Sequence, residues 1–447
     1  MSRAMFALGT LPCVLRVGVL TLAAALVNPA LAVADEAAVS DFAAPLSLDA
    51  CVKLARQSTP QQLAERARLL DAEGQLKQAR TLPNPTLSYV AQDLGLQNQG
   101  GPLLLHQAQL GFPPLLALLR IQESQAASAG RQRTIAANQE EHRQLKRAVG
   151  RAFYDVLLAQ QVAAIDAQAV QVAADLLEQN LRRQKNGELG ALEVLRARTE
   201  ELEAQRSAQL SAHQHLQLQL AFSILLGAAT PQRVHLLDEG GDSASQPPSG
   251  LSAELQAALT GDDADSSRLL QQLAQNRRPD LQQASAELKQ AEKLQQLSTI
   301  RSIPFVDLQL TGGVRVSAAG VGGVVGISAP LPLLDFNQGP RQRAQAQVLA
   351  ARAAYVRVDR QARLEIESSY ADWQQTRHAL QMFAQPVVDA RAQIVRATQQ
   401  QLTEGVASVL DVILAQRELL AAQKVRAQVI RDAQLARWQL AVAIDTW

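Results

Sequence analysis

Gly187-Glu-Leu-Gly-Ala-Leu-Glu-Val-Leu-Arg-Ala197 returns 218 residues later as Gly405-Val-Ala-Ser-Val-Leu-Asp-Val-Ile-Leu-Ala415. Working outward, Pro60 and Pro279 are 219 apart, as are Pro85 and Pro304, and Pro113 and Pro332, while Tyr154 and Tyr370 are 216 apart. Five matches in one order at nearly one offset mean that the chain is two structural copies. Between them, residues 230–267 hold Asp-Glu-Gly-Gly, Ser-Gln-Pro-Pro-Ser-Gly and Gly-Asp-Asp, a linker composition.

Each copy has the same plan. A helix comes first, Leu48–Leu82 or Leu269–Ser302. Two strand-like segments follow, then two very long helices joined at a glycine turn. No proline occurs from Leu115 to Thr230; Gly130, Gly150, Gly187, Gly190 and Gly227 are the interruptions. Leu158, Val162, Ile165, Ala169, Val172 and Leu176 alternate steps of four and three, a heptad seam that asks for a partner helix. A helix over Leu116–Lys185 would be on the order of 100 Å long at 1.5 Å per residue. The alternative is several shorter helices bent at Gly130 and Gly150.

Composition agrees with this plan. Of the 447 residues, 47% are hydrophobic but only 3% aromatic, which suits long helices better than a ring-packed core. With 43 Lys+Arg against 42 Asp+Glu, no electrostatic feature asks for a nucleic acid. Arg3 and Arg16 precede an apolar run, Val17–Val27, and Ala30-Leu31-Ala32 supplies a small-residue cleavage site. Residues 1–32 are therefore expected to be a signal peptide, its apolar run too short for a transmembrane helix. No later stretch has 18 consecutive apolar residues, so a transmembrane helix is not expected. Cys51, the one cysteine beyond the leader, makes no intrachain disulfide and is expected as a small buried residue.

The strand-like segments carry the functional signal. In Phe305–Thr311, Val306, Leu308 and Leu310 fall on one face, and Asp307, Gln309 and Thr311 on the other. Pro85–Leu94, Leu103–Phe112 and Val321–Leu331 have similar lengths, with looser alternation. Each is long enough to cross a bilayer as a tilted strand, and apolar-out, polar-in alternation is the pattern of a barrel with a wet lumen. Asn98–Gly101 and Ala318–Gly323 suit hairpin tips. Two hairpins on a soluble domain would fit the alternation as well. Four strands cannot close a lumen, and open edges are untenable in lipid. Chains would have to combine: three give twelve strands, although strand count alone leaves two or four open.

The mature chain resembles the TolC-like outer membrane efflux family. The resemblance rests on Leu46-Ser-Leu-Asp-Ala-Cys-Val-Lys-Leu-Ala55 with Ser58-Thr-Pro60, Leu82-Pro-Asn-Pro-Thr-Leu87, Arg278-Pro-Asp-Leu281, Leu331-Pro-Leu-Leu-Asp-Phe-Asn-Gln-Gly339 and Pro386. Asn337-Gln338-Gly339 resembles the heavy-metal branch, with its CzcC-like and CusC-like channels. The resemblance implies a mainly α fold with a small β part: a homotrimer with a twelve-stranded barrel in the outer membrane of a Gram-negative bacterium, and coiled-coil helices forming an α-barrel in the periplasm. It further implies a periplasmic adaptor and an inner-membrane pump of the resistance-nodulation-division type, no cofactor and no enzymatic chemistry. Expected boundaries are a first repeat over 33–229 (hairpin 85–112, helical pair 116–227), a linker over 230–267 and a second repeat over 268–447 (hairpin 305–331, helical pair 340–445).

Physically, Gly187 and Gly405 would each end a long helix at positive φ. The next helices start at Gly190 and Ser408, with Glu193 and Asp411 placed close to a capping-box pattern. The resemblance implies that Gly187, Leu189, Gly190, Gly405, Val406 and Ser408 receive the adaptor. Asp411, with Glu193 as its counterpart, matches an acidic position at the family's periplasmic gate, where three-fold symmetry turns one carboxylate into a ring. The second acidic position of that pattern falls on Leu414. Both turns would also serve as plain helix caps. His213 and His215, two apart on a helix, point to different faces and make a poor chelate. No phosphate loop, nucleophile elbow or zinc-protease spacing occurs. Drug efflux and type I secretion are alternatives within the same fold; a soluble periplasmic coiled-coil adaptor or scaffold is the alternative of another class.

Overall fold

The computed structural model describes residues 44–93, 104–114, 116–237, 264–303, 308–317, 320–329 and 335–445, all within one compact unit, Ser40–Trp447. The expected signal peptide, the tip Asn98–Gly101 and most of the linker lie outside the described residues.

The opening of each copy is two helices rather than the expected one. In the first copy α1 (Leu48–Arg56) and α2 (Thr59–Arg80) meet at Ser58, whose extended backbone breaks the helix just before Thr59-Pro60. In the second copy α5 (Ala264–Arg277) and α6 (Pro279–Ile300) meet at Arg278, extended in the same way before Pro279. Arg278 directly precedes its proline, which pushes it out of the α region; in the first copy Thr59 already opens the new helix, and in both copies proline fits the first turn.

The long helices form as expected. α3 spans Leu116–Lys185 without a break at Gly130 or Gly150, which removes the bent-helix alternative. α4 is Ala191–Leu225, α7 is Gln338–Thr403 with Pro386 inside it, and α8 is Val409–Ile444. At 70 residues α3 is about 105 Å long. It packs along α4, α6 and α8. By length and composition α3 could also cross a membrane. Phe153, Val156 and Leu176 are instead buried against neighbouring helices. The buried stripe differs in phase from the expected seam. Asp166, Ala169, Ala173, Leu176 and Asn180 are buried, whereas Val172 is exposed. Apolar spacing found Ala169 and Leu176 but not the rest, because the stripe includes polar residues; Asp166 is paired with Lys424 of α8 at 2.6 Å.

Two clusters repeat the duplication. In one, Cys51 of α1 packs with Phe153, Tyr154, Phe222 and Trp438. In the other, Leu270 of α5 packs with Ile366, Tyr370, Trp373 and Leu440. Tyr154 and Tyr370 are thus packing residues at equivalent positions. The first part of the linker is built into the fold, because residue 46 bridges to the chain at Leu236 and Val234 is buried. An ionic cluster ties the copies together. Arg278 (1% exposed) holds Asp280 at 2.7 Å and Glu365 at 2.8 Å, and donates to the Ala443 carbonyl at 3.0 Å. Arg143 of α3 holds Glu140 at 2.8 Å and Glu365 at 3.1 Å.

The strands form one antiparallel sheet in the order β1-β2-β3-β4: Thr86–Asp93, Leu104–Phe112, Gln309–Ser317 and Gly320–Ser328. The β2–β3 pairing joins the two hairpins. β3 starts within the expected Phe305–Thr311, at Gln309. It continues through Gly312-Gly313-Val314-Arg315-Val316, which glycine's weak strand preference disguises; residues 304–307 lie outside the described residues. Gly320–Gly323 belong to β4 rather than to a tip.

Candidate functional site

The pairing register sorts every described strand residue onto one of two faces, since side chains alternate with period two. Tyr89 pairs with Ala108, Ala108 with Val314, and Val314 with Gly323, which fixes one face. That face carries Leu87, Tyr89, Leu110, Phe112, Leu310, Val314, Val316, Val321, Val325 and Ile327, all solvent-exposed in the single chain. Every exposed large apolar side chain of the described strands lies there except Val90. Tyr89 stacks on His106 on this face, with its hydroxyl 2.7 Å from the imidazole Nδ1. The opposite face carries Thr86, Ser88, Gln107, Gln109, Gln309, Thr311, Arg315, Ser317 and Ser328. One face is thus mainly apolar, with His106 and Asp93 towards its hairpin end, and the other is mainly polar. Its outer strands, β1 and β4, have no partner on their free edges among the described residues.

At the opposite end of the long helices the two turns are built alike. Gly187 has φ +79° and Gly405 has φ +77°. Glu188 N–H donates to the Arg183 carbonyl and Val406 N–H to the Gln401 carbonyl, both at 2.9 Å, so each turn closes with the same six-residue bond. The helix starts differ. Ser408 forms a full capping box: its hydroxyl accepts from Asp411 N–H, while the Asp411 carboxylate accepts from Ser408 N–H at 2.8 Å. Hydrogen bonds from the Ser408 hydroxyl and N–H hold the Asp411 carboxyl below its ordinary value. Gly190 caps α4 without a side chain. Glu193 approaches it, with a carboxylate oxygen 3.0 Å from where a Cβ would stand.

The turns lie side by side. Leu189 packs on Leu176, Leu402, Val409, Val412 and Ile413. Arg183 of α3 binds Glu188 and reaches the Leu402 carbonyl at the end of α7. The expected docking residues are therefore together, with Gly187, Gly190, Gly405 and Ser408 exposed, Val406 76% exposed and Leu189 half-buried. Around them Leu192, Leu195 and Leu414 are also exposed, and spacing alone did not single them out. Above the turns is a cavity of about 660 Å³, lined by Asp175, Asn180, Arg183, Glu188, Thr403 and Gln416 among others. Cys51 is fully buried, and burial pushes its thiol up to about 12. His213 is exposed and His215 half-buried. Among the described residues no cluster of three or more His, Cys, Asp or Glu is arranged to hold a metal ion.

Comparison with known proteins places this geometry among relatives. Residues 270–445 match the family model of outer membrane efflux proteins. The chain is 26% identical over 394 residues to the cobalt-zinc-cadmium resistance protein CzcC of Cupriavidus metallidurans, covering 86% of each. Its fold is similar to that of the outer membrane protein VceC from Vibrio cholerae, at a TM-score of 0.70 and 18% identity, covering 89% of this chain and 95% of that one. It is also similar to CusC, at a TM-score of 0.71 and 16% identity, covering 89% and 91%.

Proposed function

Residues 270–445 match the model of the outer membrane efflux protein family and the described chain is similar in fold to VceC and CusC, and from that premise we propose that the protein belongs to this family and is the passive outer membrane duct of a tripartite efflux system. That family and fold are those of channels, not of enzymes. The carrying observation is the sheet: a lipid-compatible face, a polar face and two open edges at one end of helices about 100 Å long. The open edges favour closure by neighbouring copies, because an unpaired strand edge in lipid costs several kcal/mol per unsatisfied group. Three copies give a twelve-stranded barrel in the outer membrane of a Gram-negative bacterium, with α3, α4, α7 and α8 extending into the periplasm.

The glycine turns would then form the periplasmic end. Their exposed apolar residues, Val406, Leu192 and Leu195, support docking of an adaptor that links the duct to an inner-membrane pump of the resistance-nodulation-division type. Three Asp411 carboxylates around the axis, beside Glu193, would form an acidic gate. The substrate proposed is heavy-metal cations, supported by the resistance function in the name of the relative CzcC and by Asn337-Gln338-Gly339. A wide wet duct passes its cargo without binding it, so the geometry requires no metal site. Deleting the gene and complementing it tests this reading. Sensitivity to Zn²⁺, Cd²⁺, Co²⁺, Ni²⁺ or Cu⁺ alone is the expected result. Sensitivity to dyes, detergents and antibiotics alone would replace the cargo and keep the duct.

A further inference from the structure

We propose that Arg315 forms a cationic collar inside the outer mouth of the barrel and sets the charge preference of the duct there; this rests on the duct reading above. The register pairs Arg315 with Gln107 of β2 and Gly322 of β4, all on the polar face. Its side chain is exposed. Along β3 its neighbours on that face are Gly313 and Ser317, and across the pair Gly322 has no side chain, so little covers the guanidinium.

Arg315 is the one charged residue on the polar face of the described strands; Thr, Ser, Gln, Gly, Val and Leu fill the other positions. The other charged residue of these strands, Asp93, has the register of the apolar face. Residues 94–103 and 318–319, which connect the hairpin strands, contain no charged residue in the sequence. Connectivity gives the level. β2 and β4 lead on towards the long helices, so the hairpin ends are distal to them, and Arg315 stands two residues from the hairpin end of β3 at Ser317. Three copies place three uncompensated positive charges around one cross-section of the lumen. A ring of one sign favours counter-ions and repels co-ions, divalent ones doubly. For a duct that exports cations, such a collar opposes their return from outside while leaving pump-driven export possible.

The test uses the full assembly in planar lipid bilayers across a KCl gradient. Arg315→Gln should move the reversal potential away from the chloride side relative to wild type, and Arg315→Glu further in the same direction, with Asp411 and its opposing contribution retained in all three. In parallel, Arg315→Cys is treated with a membrane-impermeant thiol reagent, and the wild type, whose Cys51 is buried, is the unlabelled control. Labelling together with the ordered shift supports the collar. Pores with one unchanged reversal potential across the series, or an unlabelled Arg315→Cys in otherwise conducting pores, would overturn the collar and leave the duct standing. No pore from any variant, wild type included, would overturn the duct and the collar with it.

Discussion

Gly150 shows how one residue fixes the packing of helices far apart in the chain. A Cβ there would stand 1.9 Å from the Trp438 Nε1, which donates to the Lys146 carbonyl at 3.2 Å. The indole of α8 lies on α3 where the backbone is bare. Gly150→Ala must displace it, and a loss of about 1–3 kcal/mol is expected from overpacking, measured as a lower midpoint in denaturant. The sequence offered Gly150 as a possible helix break, because nothing local reveals that a tryptophan 288 positions away needs the space. Asp280 makes a second case. Burial raises its pKa, but the hydrogen bond and charge of Arg278 outweigh this and the net value is lowered. Its folded value lies below its unfolded one, so the carboxylate adds stability above the unfolded value, and this is lost as pH falls through the folded value. Asp280→Asn should therefore be less stable than wild type at neutral pH, with the gap closing in acid below the ordinary carboxylate range. A gap independent of pH would remove the charge from the account. Arg278-Pro-Asp280 was legible as a motif; its partners Glu365 and Arg143 were not, since they lie 87 and 135 residues away.

At the scale of elements, the helix turns were legible because glycine at positive φ and a polar cap are local needs. Ser408→Ala removes the capping box and should cost about 1 kcal/mol. Gly405→Ala, with no atom within 4 Å of its Cβ, meets only the backbone penalty, about 1–2 kcal/mol. Thermal unfolding of the two variants checks both figures; a Gly405→Ala cost far above this range would reveal a contact within the assembly. The strands were legible only in part. Leu310 and Thr311 alternate clearly, but Gly312, Gly313, Gly322 and Gly323 hide the rest of β3 and β4. The sharpest prediction lies in β4, where Val325 is 88% exposed on the apolar face and the adjacent Val324 is on the polar face. Val325→Arg should cost about 2–4 kcal/mol near the middle of a bilayer and reduce the amount assembled in the outer membrane, whereas Val324→Arg should assemble normally. Equal yields would mean that the sheet does not meet lipid.

At the scale of the molecule, the duplication at an offset of 218 and the uninterrupted helix formers made the architecture readable before any coordinate. That the four strands belong to one sheet was readable, but their order and register were not, because these depend on contacts between the copies rather than on local pattern. The buried stripe of α3 was read only in part, at Ala169 and Leu176, for a different reason: Asp166 and Asn180 occupy seam positions that apolar spacing skips. The same structure gives the central claim. It is that a four-stranded sheet with an apolar face, and edges open among the described residues, closes with copies of itself, and that α3 and α7 run through the periplasm as a duct. Imaging the protein extracted by detergent from the outer membrane tests that claim most directly. The account predicts a three-fold particle whose sheets close, β1 of one chain beside β4 of the next, into one ring of twelve strands above a helical barrel. A monomer recovered from the soluble periplasm would contradict it.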